Sequence, residues 1–160
     1  INVYYPDGTT RSYHYNELHY TGDIDRPEAL TGITDGNGNR YSIYRYGIHG
    51  EAISSAHANG IDLHQVNYLT EENTVITDPL GSQKSYSMAA IQGVVRSTGQ
   101  SQPAGSGCNA ASSSLDYDEQ GNIVSQIDFN GNRTCYAYDL DRNLEIARVE
   151  GLSTSQSCPP

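Results

Sequence analysis

The stretch "YDEQGNIVSQIDFNGNRTCYAYD", residues Tyr117–Asp139, carries the clearest structural pattern in this chain. It begins and ends with Tyr-Asp, and two glycine-bearing segments, "EQGN" and "FNGN", lie between these pairs. Asp-x-x-Gly and Asn-Gly segments supply the positive φ that tight β-hairpin turns require. The alternation Tyr136-x-Tyr138 places both rings on one face of a strand. The stretch therefore predicts one hairpin repeat, in which both Tyr-Asp pairs occupy the same structural position.

The same unit recurs along the whole chain. Aligned on the residue that ends each strand, the units are separated by 31, 22, 20, 29 and 21 residues. The aligned positions are Tyr15, Tyr46, Tyr68, Met88, Tyr117 and Tyr138. The two long steps contain insertions, residues 18–28 and 97–114, and the Ser/Gly-rich composition of the second predicts a loop. We therefore expect a repeat of about 21 residues.

The repeat is defined by a tyrosine that ends a strand and by turns that combine Asp with Gly. The repeat-defining residues are Asp35, Gly38, Tyr46, Tyr68, Asp78, Gly81, Tyr117, Asp118, Asp128, Gly131, Tyr138 and Asp139. Helical periodicity is almost absent, and the nearest match, Glu51–Gly60, favours a strand because of its Ile-Ser-Ser centre. The pattern predicts an all-β fold in which antiparallel hairpins form one continuous, curved, spiral sheet over residues 1–160.

Composition and charge narrow the function classes. The chain has 160 residues with 13 Tyr, one Phe and no Trp, and its hydrophobic share is 36%. Typical globular proteins have roughly 45–50% apolar residues, so we expect partly wet sheet faces covered by Tyr. The formal net charge of −10 excludes nucleic acid as a partner. No apolar run approaches the roughly 20 residues of a membrane-spanning helix, so no membrane insertion is expected.

The start of the chain reads as strand and turn. It begins with Ile1, and no apolar segment led by Lys or Arg follows, so no signal peptide is visible. We expect the chain to be a piece of a longer protein.

Three cysteines occur, at Cys108, Cys135 and Cys158. Their spacing does not match a zinc site. One disulfide with one free thiol and three free thiols are both compatible with the count. Because the chain between the last two can fold back through "DLDRN", we hypothesise a Cys135–Cys158 bridge with Cys108 unpaired.

Two acidic turns invite comparison with calcium loops. Asp35–Arg40 reads "DGNGNR" and Asp128–Arg133 reads "DFNGNR", with oxygen ligands at alternate positions. A calcium loop of the EF-hand type needs Gly at its sixth position and Glu at its twelfth. Here the sixth residues are Arg40 and Arg133. Hairpin turns are therefore favoured over calcium binding.

No constellation of catalytic residues is visible. The five histidines form no His-x-x-x-His or His-x-His pair, and no serine lies in a Gly-x-Ser-x-Gly motif. Cys108 has no identifiable base, which a nucleophilic cysteine requires. We therefore predict no enzyme activity, no cofactor and no metal.

The repeats resemble the RHS family, whose members are also called YD-repeat proteins. The matching segments are "ITDGNGNRYSIYRYGIHGEAISSAHANG" (Ile33–Gly60), "VVRSTGQSQPAGSGC" (Val94–Cys108) and "YDEQGNIVSQIDFNGNRTCYAYDLDRNLE" (Tyr117–Glu145). The resemblance covers nearly the whole chain. It implies long β-sheets that spiral into a hollow shell, which in bacterial members commonly encloses a C-terminal toxin domain. Relatives occur in insecticidal toxin complexes and in animal teneurins, and some members have been linked to carbohydrate binding.

The resemblance implies a structural function. The chain is expected to be a segment of an RHS-type β-shell, secreted or on a bacterial cell surface, that encapsulates a C-terminal toxin or effector polypeptide. Its partners would be other parts of the same shell and the cargo. One alternative is a carbohydrate-binding or adhesion module whose Tyr-lined face holds glycans. Another is a self-assembling β-repeat protein that forms homo-oligomers through its sheet edges, starting with the N-terminal strand.

Two family features are missing from the 160 residues. No segment matches a toxin domain, and the Asp-Pro-x-Gly-Leu motif of the family's core end is absent. "DPLGS", Asp78–Ser82, is similar to that motif but occupies an ordinary repeat turn. No protease role is therefore assigned to Asp78.

Overall fold

A computed structural model describes residues 1–159. These residues form 13 β-strands, numbered β1 to β13 in chain order, which account for 56% of the chain, against 4% helix. The strands are Asn2–Tyr4, Thr10–Tyr15, Leu30–Thr34, Arg40–Tyr46, Ala52–His57, His64–Thr70, Asn73–Thr77, Gln83–Ile91, Val94–Gln102, Ala111–Tyr117, Ile123–Ile127, Asn132–Asp139 and Leu144–Ser153. They lie in one sheet in the order of the sequence. The predicted all-β sheet of consecutive antiparallel hairpins is confirmed.

The chain divides into two compact units. The first comprises residues 1–67 and 76–82, and the second comprises residues 68–75 and those from 83 onward. Each unit contains consecutive hairpins of the repeat. We describe the units separately, as unit 1 and unit 2.

The interior of each unit is small and largely polar. Within residues 1–159, the apolar side chains that are buried belong to Ala29 and Cys135. The buried polar residues are Thr21, Thr31, Ser42 and Ser125. Such an interior buries little apolar area, and burial of a polar group is costly unless it is hydrogen-bonded, as the hydroxyls of Thr21 and Thr31 are.

A one-residue irregularity in strand register immediately precedes the repeat position in several hairpins. In the described part of the chain these bulges lie between His14 and Tyr15, Arg45 and Tyr46, Ser87 and Met88, Asp116 and Tyr117, and Ala137 and Tyr138. A bulge bends its strand and re-aims the following side chain. The repeat tyrosines therefore occupy equivalent places in the sheet as well as in the sequence.

The prediction of a loop over residues 97–114 is wrong for most of that segment. Strand β9 continues to Gln102 and β10 begins at Ala111, so the connection covers only residues 103–110. Ser101 pairs with Ser85 on one side and with Ser112 on the other. Strand propensity depends on the neighbouring strands, and here two neighbours supply hydrogen bonds that compensate for the Ser-rich composition.

The insertion at residues 18–28 connects β2 to β3. It contains a short 3-10 helix, Leu18–Tyr20, followed by Thr21, whose side chain is completely buried. The Thr21 hydroxyl lies 3.2 Å from the Leu18 carbonyl oxygen and 2.7 Å from that of Ile24. The insertion is thus an ordered element of unit 1. The segment Glu51–Gly60 is mainly the strand β5, as predicted, and ends in a short 3-10 helix, Ala58–Gly60.

Candidate functional site

Three repeat tyrosines donate their hydroxyl hydrogens to main-chain carbonyls of the preceding strand. These bonds run from Tyr46 to Leu30 at 2.9 Å, from Tyr117 to Ser97 at 2.8 Å and from Tyr138 to Ile123 at 3.0 Å. Each ring is half-buried, so its apolar part packs while its polar tip is satisfied. The three side chains act as cross-strand ties.

The acceptor carbonyls show why the tyrosines recur with the repeat. Leu30, the acceptor for Tyr46, pairs across the sheet with Tyr15, which is the preceding repeat position. Ile123, the acceptor for Tyr138, likewise pairs with the preceding repeat residue, Tyr117. Each tyrosine therefore fastens its repeat to the bulge of the repeat before it.

Burial affects the acid–base properties of two of these rings. It raises the pKa of Tyr46 above its usual value. Burial also raises the pKa of Tyr138, and the nearby carboxylate of Glu145 adds to this effect. Both hydroxyls therefore stay protonated and remain hydrogen-bond donors throughout the physiological pH range.

The Asp turns share one geometry. At Asp35, Asp78, Asp118 and Asp128, the Oδ1 atom accepts hydrogen bonds from the backbone N–H groups two and four residues later, at 2.8 to 2.9 Å. The glycine three residues after each Asp has φ between 82° and 84°, a conformation that other residues rarely adopt. Side chain and glycine together close the hairpin.

The Asp carboxylates of these turns accept hydrogen bonds from residues of their own turns. Hydrogen bonds from Asn132 lower the pKa of Asp128. Burial alone would raise the pKa of Asp118, but the hydrogen bonds from Asn122 outweigh this effect and lower it. An anionic Asp is therefore matched to the N–H groups of its own hairpin. Residues 1–159 contain no group of three or more His, Cys, Asp or Glu arranged to hold a metal ion.

Two further repeat residues occupy different settings. Asp139 lies at a turn without glycine, where its Oδ1 accepts from the N–H groups of Asp141 and Arg142 at 3.1 Å and its Oδ2 pairs with the Arg142 side chain. The positive φ in this turn falls on Asn143, at 53°. Tyr68 lies in β6, and 47% of its surface is exposed.

Cys135 and Cys158 are joined by a disulfide. Their Cα atoms lie 5.6 Å apart, and 23 residues separate them in sequence. Cys135 is only 4% exposed, whereas Cys158 belongs to the segment that follows β13. Arg133 Nη1 donates to the Gln156 carbonyl at 2.7 Å and fastens the same segment. Cys108 is an exposed free thiol in the connection between β9 and β10.

A polar cluster in unit 1 centres on Glu17. Arg40 donates to both of its carboxylate oxygens, at 2.9 and 2.5 Å, and the Thr31 hydroxyl donates to Oε2 at 2.6 Å. The bonds from Arg40 lower the pKa of Glu17 to about 2, although partial burial opposes the shift. Such a bidentate pair is the strongest kind of side-chain hydrogen bonding in proteins.

The insertion covers this cluster with an aromatic ring. The guanidinium carbon of Arg40 lies 5.3 Å from the centroid of the Tyr20 ring, and that of Arg45 lies 4.8 Å from it. Any side chain at Gly32 would collide with the Arg40 guanidinium, so the glycine makes room for the arginine. These contacts hold the insertion to β3 and β4 by cation–π attraction and hydrogen bonds.

One hollow in unit 1 brings together a serine, histidines and an aspartate. Its volume is about 300 Å³, and its lining includes Ser42, His57, Asp62 and His64. His57 Nδ1 lies 3.3 Å from the Tyr41 carbonyl oxygen, and His57 Nε2 lies 3.9 Å from Asp62 Oδ2. The Ser42 hydroxyl is buried without a hydrogen-bond partner in the described residues. Activation of a nucleophilic serine requires a hydrogen bond to a base. The Ser42 hydroxyl makes no such bond to His57.

No protein-family model matches the chain, and no curated protein sequence matches it either. No helix among residues 1–159 has the length and apolar character needed to cross a membrane. The assignment to a family therefore stays a prediction drawn from the repeat motifs.

Sequence reasoning missed the Glu17 cluster and the hollow at Ser42. Arg40 was part of the "DGNGNR" turn, but its partner Glu17 is 23 residues away and carries no motif. The available signal was the insertion itself, because an ordered insertion in a repeat protein must pack on something. The residues of the hollow come from adjacent strands, and only their register brings them together.

Proposed function

We propose that this chain is a structural segment of an RHS-type β-shell that encapsulates a C-terminal toxin or effector polypeptide. The observation that carries the proposal is the bonding of the repeat tyrosines. The hydroxyls of Tyr46, Tyr117 and Tyr138 donate hydrogen bonds to backbone carbonyls of the preceding strands. Residues that recur because they bind a ligand would present their polar tips to solvent. Residues that recur because they stabilise the sheet should bond to neighbouring strands of that sheet, as these tyrosines do.

Two further features support a wall outside the reducing cytoplasm. The Cys135–Cys158 disulfide suits a secreted or cell-surface location, because disulfides persist in oxidising compartments. The polar interior needs little apolar area per repeat, so the same unit can be added many times. Other parts of the shell and its cargo would be the partners.

Limited proteolysis tests this proposal. The chain is expressed together with the C-terminal polypeptide that the proposal requires its gene to encode, and the cleavage rate of that polypeptide is compared with its rate when it is expressed alone. Encapsulation predicts strong protection. A double variant, Tyr46→Phe with Tyr138→Phe, should loosen the wall and increase cleavage, whereas Tyr4→Phe serves as a control because Tyr4 is 76% exposed. Equal cleavage with and without the repeats would contradict encapsulation.

The carbohydrate-binding alternative has one specific observation in its favour. Tyr41 is 51% exposed, and its ring centroid lies 5.0 Å from that of His57, which leaves an aromatic surface on unit 1. Such rings stack on sugars in many proteins. A glycan array with Tyr41→Ala and, as the matched control, Tyr46→Phe would test the idea. Specific binding lost only in the Tyr41 variant, with its circular dichroism unchanged, would favour the alternative.

The self-assembly alternative concerns the two strands at the ends of the strand order. The sequence predicts pairing through the N-terminal strand; β1 has only three residues, whereas β13 has ten, and nearly all of them are exposed. A longer unpaired edge offers more N–H and C=O groups to another chain. Sedimentation at low and high ionic strength would test self-association, which the net charge of −10 opposes most at low salt. A chain that stays monomeric at high salt and high concentration would exclude it.

A further inference from the structure

We propose that the hollow in unit 1, formed by β4, β5, β6 and the loop before β6, binds the ammonium group of an alkylamine. Its volume is about 300 Å³. The residues that line it include Ser42, Tyr44, Ser55, His57, Asp62 and His64. This binding site would be additional to the structural role of the repeats. The proposal depends on which hydrogen-bonding atoms of these residues have no partner.

Strand register places most of the lining residues on one face of the sheet. Ser42 pairs with His57, and Tyr44 pairs with Ser55, across β4 and β5. Ser55 in turn pairs with His64 of β6. Residues directly opposite each other in an antiparallel pair lie on the same face, and so do residues two apart in one strand. The hollow is therefore fixed by the strand pairing of unit 1.

Hydrogen bonds to the main chain determine the tautomer of both histidines. His57 Nδ1 lies 3.3 Å from the Tyr41 carbonyl oxygen, and His64 Nδ1 lies 3.1 Å from the Asp62 carbonyl oxygen. A carbonyl oxygen only accepts hydrogen bonds, so in each neutral ring the hydrogen is on Nδ1. Nε2 then carries a lone pair and is a hydrogen-bond acceptor. Through Nε2, both rings therefore offer a ligand an acceptor.

The Asp62 carboxylate is a third acceptor. At Asp35 the carboxylate accepts hydrogen bonds from two backbone N–H groups of its own hairpin. Within residues 1–159, the Asp62 carboxylate accepts no such bond from its loop, and its Oδ2 atom lies 3.9 Å from His57 Nε2. This separation is too long for a direct hydrogen bond, but a nitrogen atom placed between the two can donate to both at about 2.8–2.9 Å.

These acceptors favour a positively charged donor as the ligand. An alkylammonium group has three N–H donors and no acceptor, so it matches a site that offers lone pairs. Among the described residues, those that line the hollow include no Lys or Arg, so an anion would meet the Asp62 carboxylate without a compensating charge. The formal net charge of −10 also favours the approach of a cation.

A buried hydroxyl and an aromatic ring add to the match. Ser42 is 4% exposed, and its hydroxyl has no hydrogen-bond partner within residues 1–159. A hydroxyl oxygen has lone pairs that can accept from an ammonium N–H. Tyr44 supplies an aromatic ring, and cations are attracted to such rings. The hollow thus combines charge, acceptors and an aromatic ring around one small volume.

An NMR titration with n-butylammonium tests the proposal. It is run at mildly alkaline pH, where free imidazole is neutral, and at constant ionic strength, so that general charge attraction is screened equally. The ring C–H resonances of His57 and His64 report binding. We expect saturable shifts with n-butylammonium and none with two control compounds. These are 1-butanol, which lacks the charge, and tetramethylammonium, which lacks N–H donors.

A lysine derivative that is blocked at its α-amino and carboxyl groups identifies the source of the ammonium. Saturable shifts with this derivative as well would extend the site to lysine side chains of a protein partner. Shifts with n-butylammonium alone would restrict it to free amines. Both results support an ammonium site.

The variant Asp62→Asn removes the negative charge and keeps the loop, because Asn tolerates the left-handed backbone that Asp62 adopts, with φ 52°. It should bind n-butylammonium about tenfold more weakly, since it loses a charge-assisted hydrogen bond. Glu28→Gln is the matched control, because it removes the same charge at an exposed residue of unit 1 outside the hollow. Unchanged circular dichroism would show that both variants remain folded.

Three results would overturn the proposal. The first is the absence of a saturable shift when n-butylammonium is added to the unaltered chain. The second is equally tight binding of 1-butanol or tetramethylammonium, since neither offers charged N–H donors. The third is an equal loss of affinity in Glu28→Gln and Asp62→Asn, since the attraction would then come from the net charge of the chain and not from the hollow.

Discussion

The repeat sheet is covered in two places by segments that are not part of the repeat, and the two covers are held by different forces. In unit 1, residues 18–28 are ordered internally by the buried Thr21 hydroxyl and are fastened to the sheet by the Tyr20 ring against Arg40 and Arg45, next to the Glu17–Arg40 pair. In unit 2, the segment after β13 is fastened by the Cys135–Cys158 disulfide. The first cover is continuous with a strand at each end, β2 and β3, so polar contacts suffice to order it. The second follows β13, and the disulfide provides its second attachment.

The difference shows how a thin repeat sheet acquires a defined interior. Within the described residues, several of the buried ones lie near the covers: Thr21 and Thr31 in unit 1, and Cys135 with Ser125 in unit 2. Elsewhere the strands are half-exposed. Covers, whether polar or covalent, thus add well-buried sites to a sheet that buries few residues elsewhere, such as Ser42 in β4.

The largest expected effect comes from opening the disulfide. Closing a loop with a sequence separation of 23 residues contributes about 3 kcal/mol in the chain-entropy model. Cys158→Ser should therefore lower the free energy of unfolding by about 3 kcal/mol. In this variant, backbone amides in β11 to β13 should exchange faster, and those in β2 to β4 should exchange at an unchanged rate. Cys108→Ser, at the exposed free thiol, is the control and should change nothing.

Thiol counting under denaturing, non-reducing conditions checks the same bond independently. One free thiol per chain is expected, since Cys108 is unpaired. A count of three would show that Cys135 and Cys158 are not joined, so that the segment after β13 has no covalent attachment to β12.

Acid should weaken the first cover and spare the second. The folded-state pKa of Glu17 is about 2, below its usual value of 4.5. A group whose pKa is lowered by folding adds stability above its unfolded pKa, and that stability is lost as pH falls from 4.5 toward 2. After allowance for solvent screening, the loss should be about 1–2 kcal/mol.

Urea unfolding and hydrogen exchange, measured above and below pH 4.5, would detect this change in β2 to β4. The variant Glu17→Gln keeps the side-chain shape but removes the titrating group. Its stability at neutral pH should be lower, and its dependence on pH in this window should be flatter. An equally steep dependence in the variant would show that other carboxylates are responsible.

Removing a tyrosine hydroxyl should lower the free energy of unfolding by the same amount in both units, because these hydrogen bonds do not depend on the covers. Tyr46→Phe and Tyr138→Phe each remove one hydroxyl that donates to a backbone carbonyl. Each should lower the free energy of unfolding by about 1 kcal/mol. Tyr4→Phe, at a ring that is 76% exposed, should have no measurable effect. Unequal losses at the two ties would show that a cover strengthens the tie beside it.

The smallest effect is expected at two buried serines, and its sign is opposite. Ser42 and Ser125 have buried hydroxyls without a hydrogen-bond partner among residues 1–159. Replacing each by Ala removes an unsatisfied polar atom, so stability should stay equal or rise by up to about 1 kcal/mol. Denaturant midpoints would show this. A clear loss at either site would mean that its hydroxyl is satisfied by solvent.

Much of the architecture could be predicted from local sequence. The Asp-x-x-Gly turns at Asp35, Asp78 and Asp128 indicated hairpins, and hairpins lie there, because turn formation depends on the glycine and the Asp side chain alone. Extended strands over residues 97–102 could not be predicted in this way. Their Ser- and Gln-rich composition resembles a loop, and only the strands on either side make them a ladder.

For the candidate sites, too, some features follow from local sequence and others depend on the folded sheet. Local sequence specifies where the chain turns and which residue types recur, since turn chemistry and two-residue alternation act over a few neighbouring residues. The contacts of those residues depend on the folded sheet, in which Tyr138 bonds to the Ile123 carbonyl and Arg40 pairs with Glu17. These contacts depend on strand register and on bulges. A one-residue shift in either would move every side chain to the opposite face, and no local motif specifies it.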